Sequence, residues 1–196
     1  MKTKTSKKTK KGLIIVISAP SGAGKTTICR EVLKKLKDSV VSVSVTTRKP
    51  RHGEKNGKDY FFVSEQKFKN MISNKDFAEW ALVHGNYYGT PKKPLLNTIN
   101  NGKNIMLIID VQGGEKIKRI FPDELFIFIV PPSKKALEQR LMNRAQDNKE
   151  TIKVRLKNAK KEMAYAKNYD FVVVNDKLNN ATAQIIAIIK ARKSKI

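Results

Sequence analysis

Short apolar runs alternate along this chain with longer stretches in which apolar residues return every three or four positions. The runs are Leu13–Ser18, Val40–Val45, Ile105–Ile109, Phe126–Val130 and Phe171–Val174. Ile105–Ile109, Phe126–Val130 and Phe171–Val174 contain no polar residue, the pattern of parallel strands covered on both faces. Helical spacing occupies Thr26–Lys37, Ser133–Arg144, Glu150–Lys167 and Ala181–Arg192. Ser133, after Pro131 and Pro132, has a hydroxyl suited to cap the helix it precedes. This alternation predicts an α/β fold, a doubly wound parallel sheet flanked by helices. From about Arg48 to Thr90 the pattern changes to short aromatic strands, Tyr60–Val63, Phe77–Trp80 and Asn86–Tyr88, around a helix near Glu65–Ile72. That stretch is expected to be an inserted α+β lobe. The polar, aperiodic segment Arg144–Glu150 joins two helices and predicts a mobile flap, with a lid over about 140–155. The expected organisation is a basic tail over 1–11, a domain over 12–190 with its core at 12–47 and 91–190, and a basic tail over 191–196.

Composition narrows the class. A chain of 196 residues with 40% hydrophobic content is one domain large enough to bury a substantial core. The single cysteine excludes an intramolecular disulfide and points to a reducing cytoplasm. Cys29 shares a helical stripe with Val32, Leu33 and Leu36 and is expected to be a packed core thiol. No apolar stretch approaches the roughly 20 residues of a membrane span, and no apolar core follows the N-terminal lysines as in a secretory signal. The net charge of +24 is uneven: residues 1–11 hold six lysines and residues 190–196 four basic residues, neither with an acid. Both tails are expected to be disordered and to attract polyanions weakly, without a specific nucleic-acid site.

The first run leads directly into candidate chemistry. Ser18–Thr27 reads S-A-P-S-G-A-G-K-T-T, a glycine-containing turn between an apolar strand and a helical pattern. Gly22 and Gly24 let the backbone approach an anion closely, with N–H groups pointing inward and the positive end of the following helix adding to the field. Lys25 would reach the outer phosphates of a nucleotide, and the Thr26 hydroxyl would take a place on Mg²⁺. Ala19 stands where the G-x-x-x-x-G-K-[ST] pattern has its first glycine. A turn of this kind serves many activities, so the acceptor has to be found elsewhere.

A second constellation lies at Val43–Tyr60, V-S-V-T-T-R-K-P-R-H-G-E-K-N-G-K-D-Y. Arg48 and Arg51 bracket Pro50, which stiffens the turn and holds two guanidinium forks together. Tyr60 follows, and G-N-Y-Y-G-T occurs at Gly85–Thr90. Two arginines and two tyrosines make a cup for a phosphate dianion; taken alone, the segment also fits a surface turn with solvated arginines.

In order along the chain stand A-P-S-G-A-G-K-T at Ala19–Thr26, S-V-T-T-R-K-P-R-H-G-E at Ser44–Glu54, K-D-Y-F-F-V at Lys58–Val63 and F-A-E-W at Phe77–Trp80. G-N-Y-Y-G-T, then I-I-D-V-Q-G at Ile108–Gly113, P-P-S at Pro131–Ser133 and V-V-N-D at Val173–Asp176 complete the series. Together they strongly resemble the guanylate kinase family over about Gly12 to Ile189. The resemblance implies a P-loop nucleoside monophosphate kinase with a GMP-binding lobe at about 48–90. It implies that ATP is held by Ala19, Pro20, Ser21, Gly22, Ala23, Gly24, Lys25, Thr26 and Thr27, with Asn175 and Asp176 near the adenine edge. GMP is then held through its phosphate by Arg48, Arg51, Tyr60 and Tyr88 and through its base by Ser44, Glu79 and Thr90, with Glu54 and Asp110 in the same site. Lys25, Arg48, Arg140, Arg144 and Arg155 would serve the transferring phosphate, and Thr26 the Mg²⁺. ATP and GMP are the expected partners; dGMP and the oligomeric state are left open.

The chemistry of the residues agrees at two points. Guanine presents adjacent N1–H and N2–H donors, which one carboxylate such as Glu79 can accept; the alternative is a strand-edge glutamate in solvent. Phosphoryl transfer is governed by cations and in-line positioning, and the acceptor oxygen of a monophosphate is already largely ionised near neutral pH. His52 and His84 are therefore expected to be turn or surface residues. Two departures from the family pattern stand out: Ile108 replaces an acidic residue, and Ala145 replaces a common glycine in the flap. Other readings are weaker. A GTPase should offer N-K-x-D, but in Asn74-Lys75-Asp76-Phe77 the aspartate comes one place early. A non-catalytic module binding a phosphopeptide in the cup would have no need of Gly24, Lys25 and Thr26. A nucleic-acid binder should show an aromatic-basic recognition motif, and none is evident.

Overall fold

The computed structural model describes residues 11–83, 85–142 and 149–194. Residues 1–10 of the expected tail over 1–11, His84, the flap residues 143–148 with Arg144 and Ala145, and the last two residues lie outside the described residues. In chain order the elements are β1 (Ile14–Ser18), α1 (Lys25–Lys35), β2 (Ser39–Val41), β3 (Val45–Thr46), β4 (Phe61–Phe62) and α2 (Glu65–Ser73). Then come β5 (Phe77–Val83), β6 (Asn86–Pro91), α3 (Lys92–Asn100), β7 (Asn104–Ile108), α4 (Val111–Ile120) and β8 (Leu125–Val130). Last are α5 (Lys134–Met142), α6 (Lys149–Met163), a short 3-10 turn (Ala164–Asn168), β9 (Phe171–Val174) and α7 (Leu178–Lys193).

The core sheet has the order β2-β7-β1-β8-β9, and every pairing is parallel. Its central strands β1, β7 and β8 lack polar alternation because both faces are covered, whereas the edge strands β2 and β9 keep exposed residues. Ile15 and Ile17 pack with Ile28, Cys29 and Val32 of α1 and Ile185 and Ile189 of α7. Ile14 and Val16 point the other way, toward Leu95 and Ile99 of α3 and Ile117 of α4. Each such side chain, fully buried, contributes about 1.5–3 kcal/mol. Cys29 lies in the core as expected, and burial pushes its thiol up to about 12.

The second sheet has the order β4-β3-β6-β5. Helix α2, capped by the Ser64 hydroxyl accepting from the Lys67 N–H, seats Phe68 against Phe77 and Tyr87 at ring separations of 4.5 and 5.3 Å. The expected strand Val40–Val45 is two strands in different sheets. The Ser42 N–H donates to the Met106 carbonyl of the core sheet at 2.9 Å, whereas the Ser44 carbonyl accepts from Phe61 of the second sheet at 2.9 Å. Serines alternate with valines here, and Val40 and Val41 stay more than a third exposed, so one continuous buried strand was never favoured. Helices α3 and α4 lie between the expected elements. In α4 the paired glycines Gly113 and Gly114 mask a helix that the Asp110 carboxylate caps by accepting from the Gln112 and Gly113 N–H groups.

Candidate active site

β1 ends at Ser18 beneath a tight turn, closed by the Ala23 N–H bonding to the Pro20 carbonyl at 3.1 Å. Gly22 and Gly24 both sit at φ +89°, where a side chain would be strained. Gly24 offers no side chain to cap α1, so the N–H groups of its first turn are available to an anion. Lys25 opens that helix and lays its Nζ on the Ile109 carbonyl at 2.7 Å. Burial lowers its pKa, and the negative charges of Asp110 and Glu162 oppose the shift and favour the cation. Thr26 and Thr27 follow, exposed at the mouth of the turn.

All nine residues from Ala19 to Thr27 line one cavity of about 250 Å³, and the second sheet supplies much of its other wall. Ser44, Arg51, Tyr60, Glu79 and Tyr88, each expected at the acceptor site, line it too, with Asp110 and Arg155. Glu79 is 6% exposed, and its Oε1 accepts from the Thr90 hydroxyl at 2.5 Å. A register slip in β5 between Phe77 and Glu79 sets Glu79 opposite Thr90. Burial pushes its carboxyl up to about 7; Asp110 adds to the rise, while the Thr90 hydrogen bond and the Lys116 charge oppose it. Thr90, with no exposed surface, stands behind Glu79 rather than in the wall.

Arg48 and Glu54 also stand behind the wall. The Arg48 guanidinium donates to Glu54 at 2.8 Å and lies 5.4 Å from the centre of the Tyr60 ring, which itself lies edge-on to Tyr88. The other oxygen of Glu54 accepts from the Arg51 N–H at 2.7 Å, so this carboxylate closes the arginine loop on itself. Burial raises its pKa, but the Arg48 bond and the Arg51 N–H outweigh that and hold it below the usual carboxylate range. Arg140 and Asn175 brace the donor turn from behind. The Asn175 side-chain amide donates to the Ala23 carbonyl at 2.7 Å, and Arg140 donates to the Asn175 carbonyl at 2.9 Å and to Ala23 at 3.4 Å. Asp176 is exposed outside the wall, His52 is exposed in its turn, and Arg144 lies outside the described residues.

Five residues at the site were given no role from the sequence. Val83, Gly89 and Ile109 line the cavity, Val83 outside any motif and Gly89 and Ile109 within quoted strings but without a role of their own. Gly113 permits close approach: a Cβ there would fall 2.8 Å from Glu79 Oε2. Glu162 joins the wall from α6 and accepts from the Ser21 N–H at 3.0 Å, a contact spanning 141 positions of sequence. Ile108 presents an apolar side chain to the cavity where an acid was expected.

Comparison with known proteins decides the family. The guanylate kinase family model matches residues 11–192. The chain belongs to the guanylate kinase family. It is 48% identical to the guanylate kinase of Caldanaerobacter subterraneus subsp. tengcongensis over 187 residues, 95% of this chain and 91% of that protein. It is 46% identical to the guanylate kinase of Clostridium acetobutylicum, covering 95% of this chain and 89% of that one. The crystal structure of guanylate kinase from Anaplasma phagocytophilum superposes with a TM-score of 0.79 at 36% identity, covering 93% of this chain and 86% of its own. The parallel sheet flanked by helices is thus the guanylate kinase fold. Among the described residues, no helix is long and apolar enough to cross a membrane.

Proposed function

We propose that this protein is a guanylate kinase that transfers the terminal phosphoryl group of ATP directly to GMP, giving ADP and GDP, with Mg²⁺ required. The observation that carries this reading is the shared cavity, in which the turn Ala19–Thr27 and the buried carboxylate Glu79 line one space of about 250 Å³. In this reading the turn's N–H groups and Lys25 hold the donor phosphates. Arg51, Tyr60 and Tyr88 receive the GMP phosphate, with Arg48 steadied behind them by Glu54. Ser44 and Glu79 read guanine, Glu79 taking its two adjacent N–H donors while the Thr90 hydroxyl orients that carboxylate from behind. Arg155, with Arg140 and Arg144, stabilises charge on the transferring group, for which positioned cations suffice. No general base is needed, because the GMP phosphate is largely ionised near neutral pH.

Mg²⁺ fits the hard oxygen donors of the cavity, whose lining includes the Thr26 hydroxyl and the Asp110 carboxylate. Thr26 would hold the ion, which when bound neutralises charge on the donor phosphates. The lobe and lid would close over both substrates to exclude water, since an open site would hydrolyse ATP. A cytoplasmic role in purine nucleotide metabolism follows from these substrates. A phosphopeptide-binding module accounts for the arginine–tyrosine cup but not for a fully formed donor turn with Lys25 on the same cavity. ADP release is measured with GMP, AMP, CMP and UMP in turn, with and without a chelator. GMP is expected to support turnover that the chelator abolishes; equal rates with all four monophosphates, or none with GMP, would refute the proposal.

A further inference from the structure

Beyond favouring the charged form of Lys25, Glu162 reaches the donor turn directly with its carboxylate. It lies on α6, half-buried, and its Oε2 accepts from the Ser21 N–H at 3.0 Å. The turn is thus gripped twice. Asn175 and Arg140 donate to the carbonyl of Ala23, and Glu162 takes the amide of Ser21 on the entering limb. Arg155 lies seven residues earlier on the same helix, two turns away and on the same face, and both side chains line the cavity. Apolar contacts also hold α6, with Ile152, Leu156 and Ala159 against Leu137 and Leu141 of α5 and Met163 against Val111, Phe128 and Val130, but they join it to other elements and not to the donor turn itself. A charged acceptor on a backbone amide instead fixes both the distance and the rotation of the helix relative to the turn.

We propose that Glu162 is a positioning residue for phosphoryl transfer: by accepting the Ser21 N–H it docks α6 on the donor turn and so sets Arg155 over the transferring phosphate. This rests on the proposed GMP kinase reading. Small displacements of a catalytic cation are expensive, since a shift of about 1 Å can cost on the order of 10²-fold in rate.

The test compares Glu162→Ala, Glu162→Gln, Arg155→Ala and the double variant Arg155→Ala/Glu162→Ala. Glu162→Ala should lower kcat by roughly 10- to 100-fold and raise the ATP KM, with the GMP Kd unchanged. Glu162→Gln keeps an oxygen for the Ser21 N–H and should regain most of the rate. In the Arg155→Ala background, removing Glu162 should cost less than about threefold, because the group it sets is gone. A wild-type kcat and ATP KM in Glu162→Ala, or the same loss with and without Arg155, would overturn the proposal. Hydrogen exchange of the Ser21 amide gives a readout independent of turnover. It should speed up in Glu162→Ala and stay protected in Glu162→Gln, even if the wild-type protein fails to phosphorylate GMP. Unchanged Ser21 protection in Glu162→Ala would also overturn it.

Discussion

Glu79 is a carboxylate kept out of water, and its ionisation ties function to pH. Its pKa rises from 4.5 to about 7, chiefly through burial. The native state therefore holds this proton over a range where the unfolded chain has lost it. Glu79 thus lowers stability as pH rises from about 4.5 through 7, and below 4.5 the penalty is absent. In the proposed function guanine offers its N–H donors to the ionised form, so binding GMP would displace the proton. The GMP KM is expected to climb as pH falls below 7, approaching about tenfold per unit, while the ATP KM stays flat. A GMP KM that is level between pH 5.5 and 8 would separate Glu79 from the base. Gly113 tests the same carboxylate sterically. A methyl group there would meet Glu79 Oε2 at 2.8 Å and displace it from the helix start. Gly113→Ala should lower kcat/KM for GMP by roughly 10- to 100-fold and leave the ATP KM alone; equal weakening of both substrates would mean that α4 itself had been disturbed.

Element by element, the central strands β1, β7 and β8 were legible because strands buried on two faces leave apolar runs. The edge strand β9 carries such a run although most of it is exposed, and β2 lies at a run interrupted by serines. What the sequence hid were features that depend on distant contacts. Ser42–Ser44 crosses between two sheets, and no local pattern marks where the pairing partner changes from Met106 to Phe61. Helix α4 begins with glycines that local propensity would exclude, yet Glu79 must lie against one of them. The donor turn was legible as a motif, but its bracing was not. Asn175, expected near the adenine edge, spends its amide on the Ala23 carbonyl. Asn175→Ala removes this buried donor and is expected to lower the unfolding free energy by about 1–3 kcal/mol and to raise the ATP KM. GMP affinity should be spared, because the brace touches only the donor turn. Denaturant unfolding together with separate substrate titrations checks this, and a matching loss of GMP affinity would contradict it.

At the scale of the whole molecule, the core sheet presents the glycine-containing turn Ala19–Thr27 while the second sheet presents the buried carboxylate of Glu79, and one cavity joins them. In the proposed function it is the pairing of these sheets, rather than either alone, that would make a kinase for one nucleotide. The separate motifs could be read from the sequence. Their meeting could not, since Ser21 and Glu162, or Ala23 and Asn175, approach only once the chain has folded. In the proposed function, Glu79 chooses the base. Adenine presents an acceptor where guanine presents N1–H, and would face the carboxylate with unpaired charge. Sites that read polar groups reject the wrong ligand by roughly 10⁴–10⁵. Glu79→Gln preserves shape while exchanging one acceptor for a donor. The decisive measurement is kcat/KM for GMP and for AMP in both proteins at pH 8 with ATP saturating. The GMP-to-AMP ratio should fall at least about tenfold in the variant, as loss of one hydrogen bond to a charged group requires; an unchanged ratio would show that Glu79 does not read the base.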